Sequence, residues 1–220
     1  CGQTISDFPV AYETYGKLNS KKDNAILVFH ALTGDQFATG INPITKKDGW
    51  WKYALGEGKA IDTNKYFVIC ANVLGGCMGS FGPSSLNRET GKPYGNDFPV
   101  ITINDMVNAQ YFLLKHFKID KLFCVTGGSM GGMQVLQFVA NYPNASHTAV
   151  PIACTSNHSA QNIGFNELGR QAIMADSNWQ NGKYEETNSS PNKGLSVARM
   201  AAHITYLSKD ALQEKFGRKL

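Results

Sequence analysis

Residues 122–134 read LFCVTGGSMGGMQ, an apolar run that leads into a glycine-rich turn. Residues 127–131 match the pattern G-x-S-x-G between a predicted buried strand and a predicted helix. Such a sharp turn strains the serine backbone and lifts its hydroxyl clear of the sheet, at the positive end of a helix. Gly127 and Gly131 would let the chain pack closely there. The pattern predicts that Ser129 is a nucleophile. The alternative is a glycine-rich turn that holds an inert serine.

Apolar runs and amphipathic segments alternate on both sides of this turn. Asn104 to Phe117 carries apolar residues at spacings of three and four, with Thr102 as a predicted N-cap and Asp105 three residues later. A second helix is predicted from Met130 to Tyr142. Strands are predicted at residues 8–15, 25–29, 66–71, 122–125 and 149–153. Alternating buried strands and helices predict an α/β fold with a mostly parallel sheet covered on both faces.

Two stretches depart from this alternation. Residues 75–99 are rich in Gly, Pro, Ser and Asn, which indicates a long structured loop. Loops of this length inside a compact domain often carry function. After Thr155 the pattern is helical only, with helices predicted at 157–175 and 194–216 around a polar linker. We therefore predict two domains, an α/β core over residues 1–155 and the start of a helical lid over residues 156–220.

The composition is that of an ordinary soluble globular protein. The chain has 42% hydrophobic and 17% charged residues and a net charge of +4. The chain has no arginine-rich stretch, so we expect no nucleic-acid binding. It also has no apolar run of about 18 residues and no signal peptide, so we expect neither a membrane span nor secretion. The five cysteines form no C-x-x-C pair, and three of them lie in or beside apolar runs, where a reduced thiol acts as a small hydrophobic group. This favours a reducing cytoplasm. Neither metal-ligand spacing nor a phosphate-binding lysine loop is present, so no bound cofactor is expected.

A serine nucleophile needs a histidine base that is oriented by a carboxylate, and in folds of this kind the chain order is Ser, acid, His. The histidines after Ser129 are His147, His158 and His203. None of them follows a late strand of the sheet, so we predict that the catalytic Asp and His lie beyond residue 220. The abrupt ends at Cys1 and Leu220 also indicate a fragment.

The acyl intermediate needs two backbone donors for its oxyanion. One is predicted to be the N–H of Met130, which follows the nucleophile, and the other the N–H of Leu32, in the loop after strand 25–29. Each donor would lower the barrier by about 3 kcal/mol. His30 is expected to order this loop by hydrogen bonding and to take no part in proton transfer.

Several segments together carry a specific family resemblance. They read YETYG (12–16), HALTGD (30–35), KAIDT (59–63), NVLGGCMGS (72–80), GPSS (82–85), GGSMGGMQ (127–134) and GLSVAR (194–199). Over essentially all 220 residues the chain resembles the homoserine O-acetyltransferase family of α/β-hydrolase-fold acyltransferases. The resemblance implies an α/β-hydrolase fold with a helical lid insertion, truncated before the late strands.

The resemblance also implies a reaction and its participants. Acetyl-CoA would acylate Ser129, and the hydroxyl of L-homoserine would then take the acetyl group, giving O-acetylhomoserine for methionine synthesis. Arg199 occupies the family position that binds the amino-acid substrate, and a guanidinium can grip a carboxylate with two hydrogen bonds. A homodimer is implied too, with the missing portion in the same or a companion chain. This chain alone is expected to be inactive.

Phe81 departs from the family pattern, which more often has a small polar residue there, so the loop is expected to shape its pocket differently. The residues leave other functions open. They are a serine O-acetyltransferase, a homoserine O-succinyltransferase, a plain serine esterase, and a truncated copy without activity.

Overall fold

The structure is a computed structural model that describes residues 2–184 and 186–218. Cys1 and Leu220, which entered the fragment prediction, lie outside the described residues. The chain divides into two compact units, the first ending at Ser156 and the second beginning at Asn157.

The described residues of the first unit, 2–156, form nine strands and two α-helices. The strands are β1 (Tyr12–Tyr15), β2 (Ala25–Phe29), β3 (Leu55–Gly56), β4 (Ile61–Asp62), β5 (Phe67–Ala71), β6 (Leu86–Asn87), β7 (Lys92–Pro93), β8 (Leu122–Gly128) and β9 (Ser146–Ile152). The helices are α1 (Ile103–Phe117) and α2 (Met130–Asn141), with a short 3-10 helix at Gly95–Asp97.

Five strands form the main sheet in the order β1-β5-β2-β8-β9. β1 is antiparallel to β5, and the other neighbours are parallel. The short strands β3 and β4 pair with each other, as do β6 and β7. The predicted mostly parallel sheet flanked by helices is therefore confirmed.

The side chains of β2 point alternately to the two faces of the sheet, and a hydrophobic cluster lies on each face. Leu27 and Phe29 point into a cluster that includes residues of α1 and α2. Val28 points to the opposite face, where the cluster includes Ala38 and Leu55 from the connection between β2 and β5. Because side chains alternate along a strand, a continuous apolar run serves both clusters at once.

α1 begins at the predicted cap. The Thr102 side chain accepts a hydrogen bond from the backbone N–H of Asp105, and the Asp105 side chain accepts one from the backbone N–H of Thr102. This reciprocal capping satisfies two donors that the helix leaves unpaired. The helix ends at Lys118 in a left-handed conformation.

Four of the five predicted strands have different bounds in the structure, since β1 begins at Tyr12 in place of residue 8 and β5 at Phe67 in place of residue 66. β8 runs to Gly128, three residues beyond the apolar run, because its parallel pairing with β9 continues past Gly127 and Pro151. β9 occupies 146–152 in place of 149–153 and lies at the edge of the sheet. Proline is tolerated in edge strands because one side of the strand needs no donor.

The regular elements of the second unit, over residues 157–184 and 186–218, are all helices. These are α3 (Ala160–Met174), a 3-10 helix at Ser177–Gly182, α4 (Asn192–Tyr206) and α5 (Lys209–Phe216). The single helix predicted over 194–216 is wrong, because Leu207 is extended and Ser208 caps a new helix by accepting from Ala211 N–H. α3 and α4 pack closely at Gly194, where a Cβ would overlap the Ala172 carbonyl oxygen. No helix among the described residues is long and apolar enough to cross a bilayer.

Candidate active site

Ser129 lies at the junction of β8 and α2 in a strained backbone conformation. Its φ is 56° and its ψ is −119°, and its side chain is exposed. A non-glycine residue at positive φ is uncommon and costs free energy, which surrounding packing must offset. A Cβ at Gly127 would come within 2.6 Å of the Phe29 carbonyl oxygen, and one at Gly131 would overlap the same atom. Both glycines therefore allow the turn to pack directly on the end of β2.

At the start of α2, the first backbone N–H groups have no acceptor within the helix. Met133 N–H donates to the Ser129 carbonyl oxygen over 3.1 Å, which is the first hydrogen bond of the helical ladder. Met130 N–H precedes that ladder and has no acceptor within the helix. Ser129 N–H donates to the Ile152 carbonyl oxygen over 3.0 Å and so fastens the turn to β9.

His30 directly follows β2 and is buried. Its Nε2 accepts a hydrogen bond from Val73 N–H at 3.1 Å, and its Nδ1 lies 2.7 Å from the Ala31 carbonyl oxygen. Since Nε2 accepts, Nδ1 carries the proton and donates to Ala31, which assigns the neutral tautomer. Burial lowers the pKa of His30 and favours this neutral form. These contacts are the loop-ordering role predicted from the sequence.

Leu32 lies in a tight turn after His30. Gly34 N–H donates to the Ala31 carbonyl oxygen over 2.9 Å, so the hydrogen bond of the turn uses neither polar group of Leu32. The Leu32 side chain is 72% exposed. The Leu32 N–H donates in none of the backbone hydrogen bonds described for this turn, which is compatible with its predicted role as an oxyanion donor.

The loop that follows β5 is organised by one buried amide that the sequence reasoning missed. The Asn72 Oδ1 accepts from Met78 N–H over 3.1 Å, and the Asn72 carbonyl oxygen accepts from the Ser80 hydroxyl over 2.6 Å. Ser80 in turn accepts from Ala11 N–H over 3.0 Å. The signal available was an Asn directly after an apolar strand, at the start of a glycine-rich loop.

Phe81 packs inside the long loop itself. Its ring centroid lies 5.5 Å from that of Tyr94 and 5.2 Å from that of Phe98. The three rings form a small aromatic core for residues 81–98. The departure from the family pattern therefore has a local packing role, and its effect on a substrate pocket remains a prediction.

The other predicted site residues are placed as follows. His147 is exposed on β9, and none of the hydrogen bonds described within the first unit joins Ser129 to a histidine. In the second unit His203 and Arg199 are exposed on α4, and His158 is half-buried before α3. Over residues 2–184 and 186–218, no group of three or more His, Cys, Asp or Glu side chains is placed to hold a metal ion.

A cavity of about 200 Å³ lies at a different place from the predicted nucleophile. Its lining includes Phe8 of the N-terminal segment, Leu74 of the loop after β5 and Phe112 of α1. Neither Ser129 nor Leu32 lines it.

The family model described as alpha/beta hydrolase fold matches residues 24–219. The chain belongs to the α/β-hydrolase fold family. The match explains the turn around Ser129, because this family places its nucleophile between a strand and the following helix.

Three individual proteins are also similar to this chain. A homoserine O-acetyltransferase of Pelagibacter ubique is 74% identical over 220 residues, covering all of this chain and 59% of its own length. A crystal structure of homoserine O-acetyltransferase from Bacillus anthracis matches with a TM-score of 0.88 and 32% identity, covering 96% of this chain and 58% of its own. An esterase crystal structure matches with a TM-score of 0.86 and 34% identity, covering 97% and 60%. The predicted resemblance to homoserine O-acetyltransferases is confirmed, and the chain spans less than two thirds of each of these proteins.

Proposed function

We propose that the complete protein carrying this chain is a homoserine O-acetyltransferase that moves an acetyl group from acetyl-CoA to the hydroxyl of L-homoserine. The observation that carries acyl transfer is the exposed Ser129, held at positive φ at the start of α2. The 74% identity to a relative of that name supports the choice of substrates and a place in methionine synthesis.

In the first step the Ser129 Oγ attacks the thioester carbonyl carbon of acetyl-CoA while a histidine base takes the hydroxyl proton. The carbonyl oxygen becomes an oxyanion, and the N–H groups of Leu32 and Met130 are the proposed donors to it. Collapse of this intermediate breaks the C–S bond, and the thiolate of CoA takes the proton from the base. An acetyl-serine ester remains.

In the second step the side-chain hydroxyl of L-homoserine attacks the ester carbonyl. The same base takes its proton and returns it to Ser129 as the ester bond breaks, which gives a ping-pong reaction. We propose that Arg199 binds the carboxylate of homoserine, because a guanidinium can bind a carboxylate through two parallel hydrogen bonds. This assignment rests on the family position and on the exposure of Arg199.

The base and its carboxylate are proposed to come from the part of the domain that this chain does not cover. The 220-residue chain alone is therefore proposed to be inactive, since a serine without its base loses orders of magnitude in rate. The described cysteines are all free thiols, which is consistent with the proposed cytoplasmic location. A homodimer remains part of the proposal through the family resemblance.

A second candidate is a serine esterase, which the 34% identical esterase structure favours. An esterase passes the acyl group to water, whereas a transferase must let the acceptor hydroxyl outcompete water. Serine as acceptor and succinyl-CoA as donor stay open within acyl transfer.

The test uses the complete protein with each pairing of acetyl-CoA or succinyl-CoA with homoserine, serine or water. We expect rapid CoA release with acetyl-CoA, and product formation that requires homoserine. Ser129→Ala should lower transfer by at least about 10⁴-fold. Undiminished transfer in that variant would refute the serine mechanism. If the rate at which acetyl-CoA or p-nitrophenyl acetate is consumed does not change when homoserine is added, the esterase is favoured.

A further inference from the structure

We propose that Gln134, oriented by Gln110, is a positioning residue that joins the two halves of the oxyanion hole. The inference rests on the proposed function, which assigns the oxyanion donors to Leu32 and Met130. It assigns a role to a buried amide pair that takes no part in the chemistry described above.

Gln134 bridges the two segments that carry the proposed donors. It lies in the first turns of α2 and is 0% exposed. Its Nε2 lies 3.3 Å from the carbonyl oxygen of His30, two residues before Leu32, and 3.4 Å from the carbonyl oxygen of Met130. One side-chain amide therefore contacts both the loop after β2 and the residue that follows the nucleophile.

Gln110 fixes which way this amide points. Its Nε2 donates to the Gln134 Oε1 over 3.1 Å from α1, where Gln110 is 1% exposed. With its oxygen engaged by Gln110, Gln134 must turn its NH₂ group toward the two carbonyls. Among the described residues the Gln110 Oε1 has no hydrogen-bond partner. A buried acceptor without a partner opposes folding, so the contribution of Gln110 lies in the donor that it gives to Gln134.

The same loop is held from a second direction. The His30 ring accepts from Val73 N–H, while the His30 carbonyl oxygen accepts from Gln134. The backbone of β2 and the first turn of α2 approach so closely that Gly131 has no room for a Cβ beside Phe29. With the ring and the carbonyl of His30 both fastened, the turn that carries Leu32 starts from a fixed point. Preorganised donors are effective because they need no reorganisation when the oxyanion forms.

The test compares Gln134→Met and Gln110→Met in the complete protein, because methionine keeps the side-chain length and removes the amide. We expect Gln134→Met to lower kcat by roughly 10- to 100-fold, with KM for acetyl-CoA within about twofold. Gln110→Met should act in the same direction by about 3- to 10-fold, since it frees the orientation of Gln134 without removing it. Gln137→Met is the matched control, because Gln137 lies on the same helix but bonds Asn141.

A second readout isolates the oxyanion hole. A fluorophosphonate probe forms a bond from Ser129 Oγ to phosphorus, expels fluoride and leaves its phosphoryl oxygen in the hole, while the serine proton passes to the base. Its labelling rate should fall by the same factor as kcat in the Gln134 and Gln110 variants and stay at wild-type values in Gln137→Met. If Gln134→Met does not fold, Gln110→Met decides the question by the same measurements.

Wild-type kcat and labelling in the folded variants would overturn the inference. A loss of activity that only follows the folded fraction would overturn it too. Ser129→Ala separates the two proposals. If Ser129→Ala retains transfer, the proposed function fails, and if Ser129→Ala is inactive while both glutamine variants behave as wild type, only the role of Gln134 fails.

Discussion

β2 and β9 are the two parallel neighbours of β8, and they differ sharply in burial. All five residues of β2 are buried, whereas six of the seven residues of β9 are exposed. Strands of a parallel sheet are normally buried on both faces. The turn at Ser129 therefore lies between one strand that the described residues bury completely and one that they leave largely exposed.

The glycines of the turn differ in how closely the surrounding chain packs on them. A Cβ at Gly131 would overlap the backbone of β2, which cannot move without breaking the sheet. A Cβ at Gly132 would meet the Cys154 side chain at 2.7 Å and the Ile152 carbonyl oxygen at 3.0 Å, so α2 also packs closely on the end of β9. A Cβ at Gly128 would meet nothing within 4 Å. The comparison predicts that a methyl group added at Gly131 costs more than one added at Gly128.

The largest effect is expected for Gly131→Ala, measured by urea unfolding of the complete protein. The added methyl group would force β2 and α2 apart, and we expect a loss of about 3 kcal/mol in the free energy of unfolding. Gly128→Ala is the control, with an expected change within about 0.5 kcal/mol. Equal losses of unfolding free energy in the two variants would contradict the difference in packing between Gly131 and Gly128.

A matched pair of valines gives the next largest effect. Val28 in β2 is 0% exposed, and Val150 in β9 is 46% exposed. Val28→Ala should lower the free energy of unfolding by about 2 to 3 kcal/mol, because two buried methyl groups are lost and a cavity remains. For Val150→Ala we expect a loss below about 1 kcal/mol. A comparable loss at Val150 would mean that other residues of the complete protein bury β9.

The pH dependence of the free energy of unfolding tests the burial of His30, which directly follows β2. Burial lowers the pKa of folded His30 below its ordinary value of 6.5, so as the pH falls below 6.5 the unfolded chain takes up the proton first. Stability should therefore decrease as the pH falls from 6.5 toward the folded pKa, by at most about 1.4 kcal/mol per pH unit. Thermal unfolding of His30→Asn across this range should lack that component, and an unchanged pH profile in the variant would contradict it.

The smallest effect concerns the hydrogen bonds between β8 and β9. The buried Thr126 hydroxyl donates to the Val150 carbonyl oxygen over 3.0 Å, and the exposed Thr148 hydroxyl donates to the Phe123 carbonyl oxygen over 2.8 Å. Thr126→Val should cost about 1 kcal/mol, because the carbonyl loses a donor. Thr148→Val should cost less than about 0.5 kcal/mol, since water can replace an exposed donor. Circular dichroism melts of both variants would measure this, and the reverse order would show that β9 is less open than its exposure indicates.

Much of the core could be predicted from the chain alone. The run at Ala25–Phe29 has the predicted bounds, and the capping pair Thr102 and Asp105 begins α1 as expected. Both signals are local, since a buried strand needs only continuous apolar residues and a cap needs only residues three apart. The end of β8 was missed because parallel pairing, rather than apolarity, extends it to Gly128.

Side-chain partners that are distant in sequence could not be predicted. Gln110 lies among the apolar positions of α1, and Gln134 closes the motif at residues 127–134, but neither position indicates a partner. Their hydrogen bond joins residues 24 positions apart, and the contact of Gln134 with His30 joins residues 104 positions apart. A buried glutamine in an apolar stripe was the available signal, but it does not name the partner.

The sequence by itself determined the strand-turn-helix at Ser129, the buried parallel strands and the family to which the chain belongs. Those features follow from local periodicity, glycine placement and motif spacing, which each act over a few residues. Only the tertiary structure decided that β2 is enclosed while β9 is open, and that Gln134 meets His30. Burial and long-range hydrogen bonds depend on which segments the fold brings together, and no local pattern contains that information.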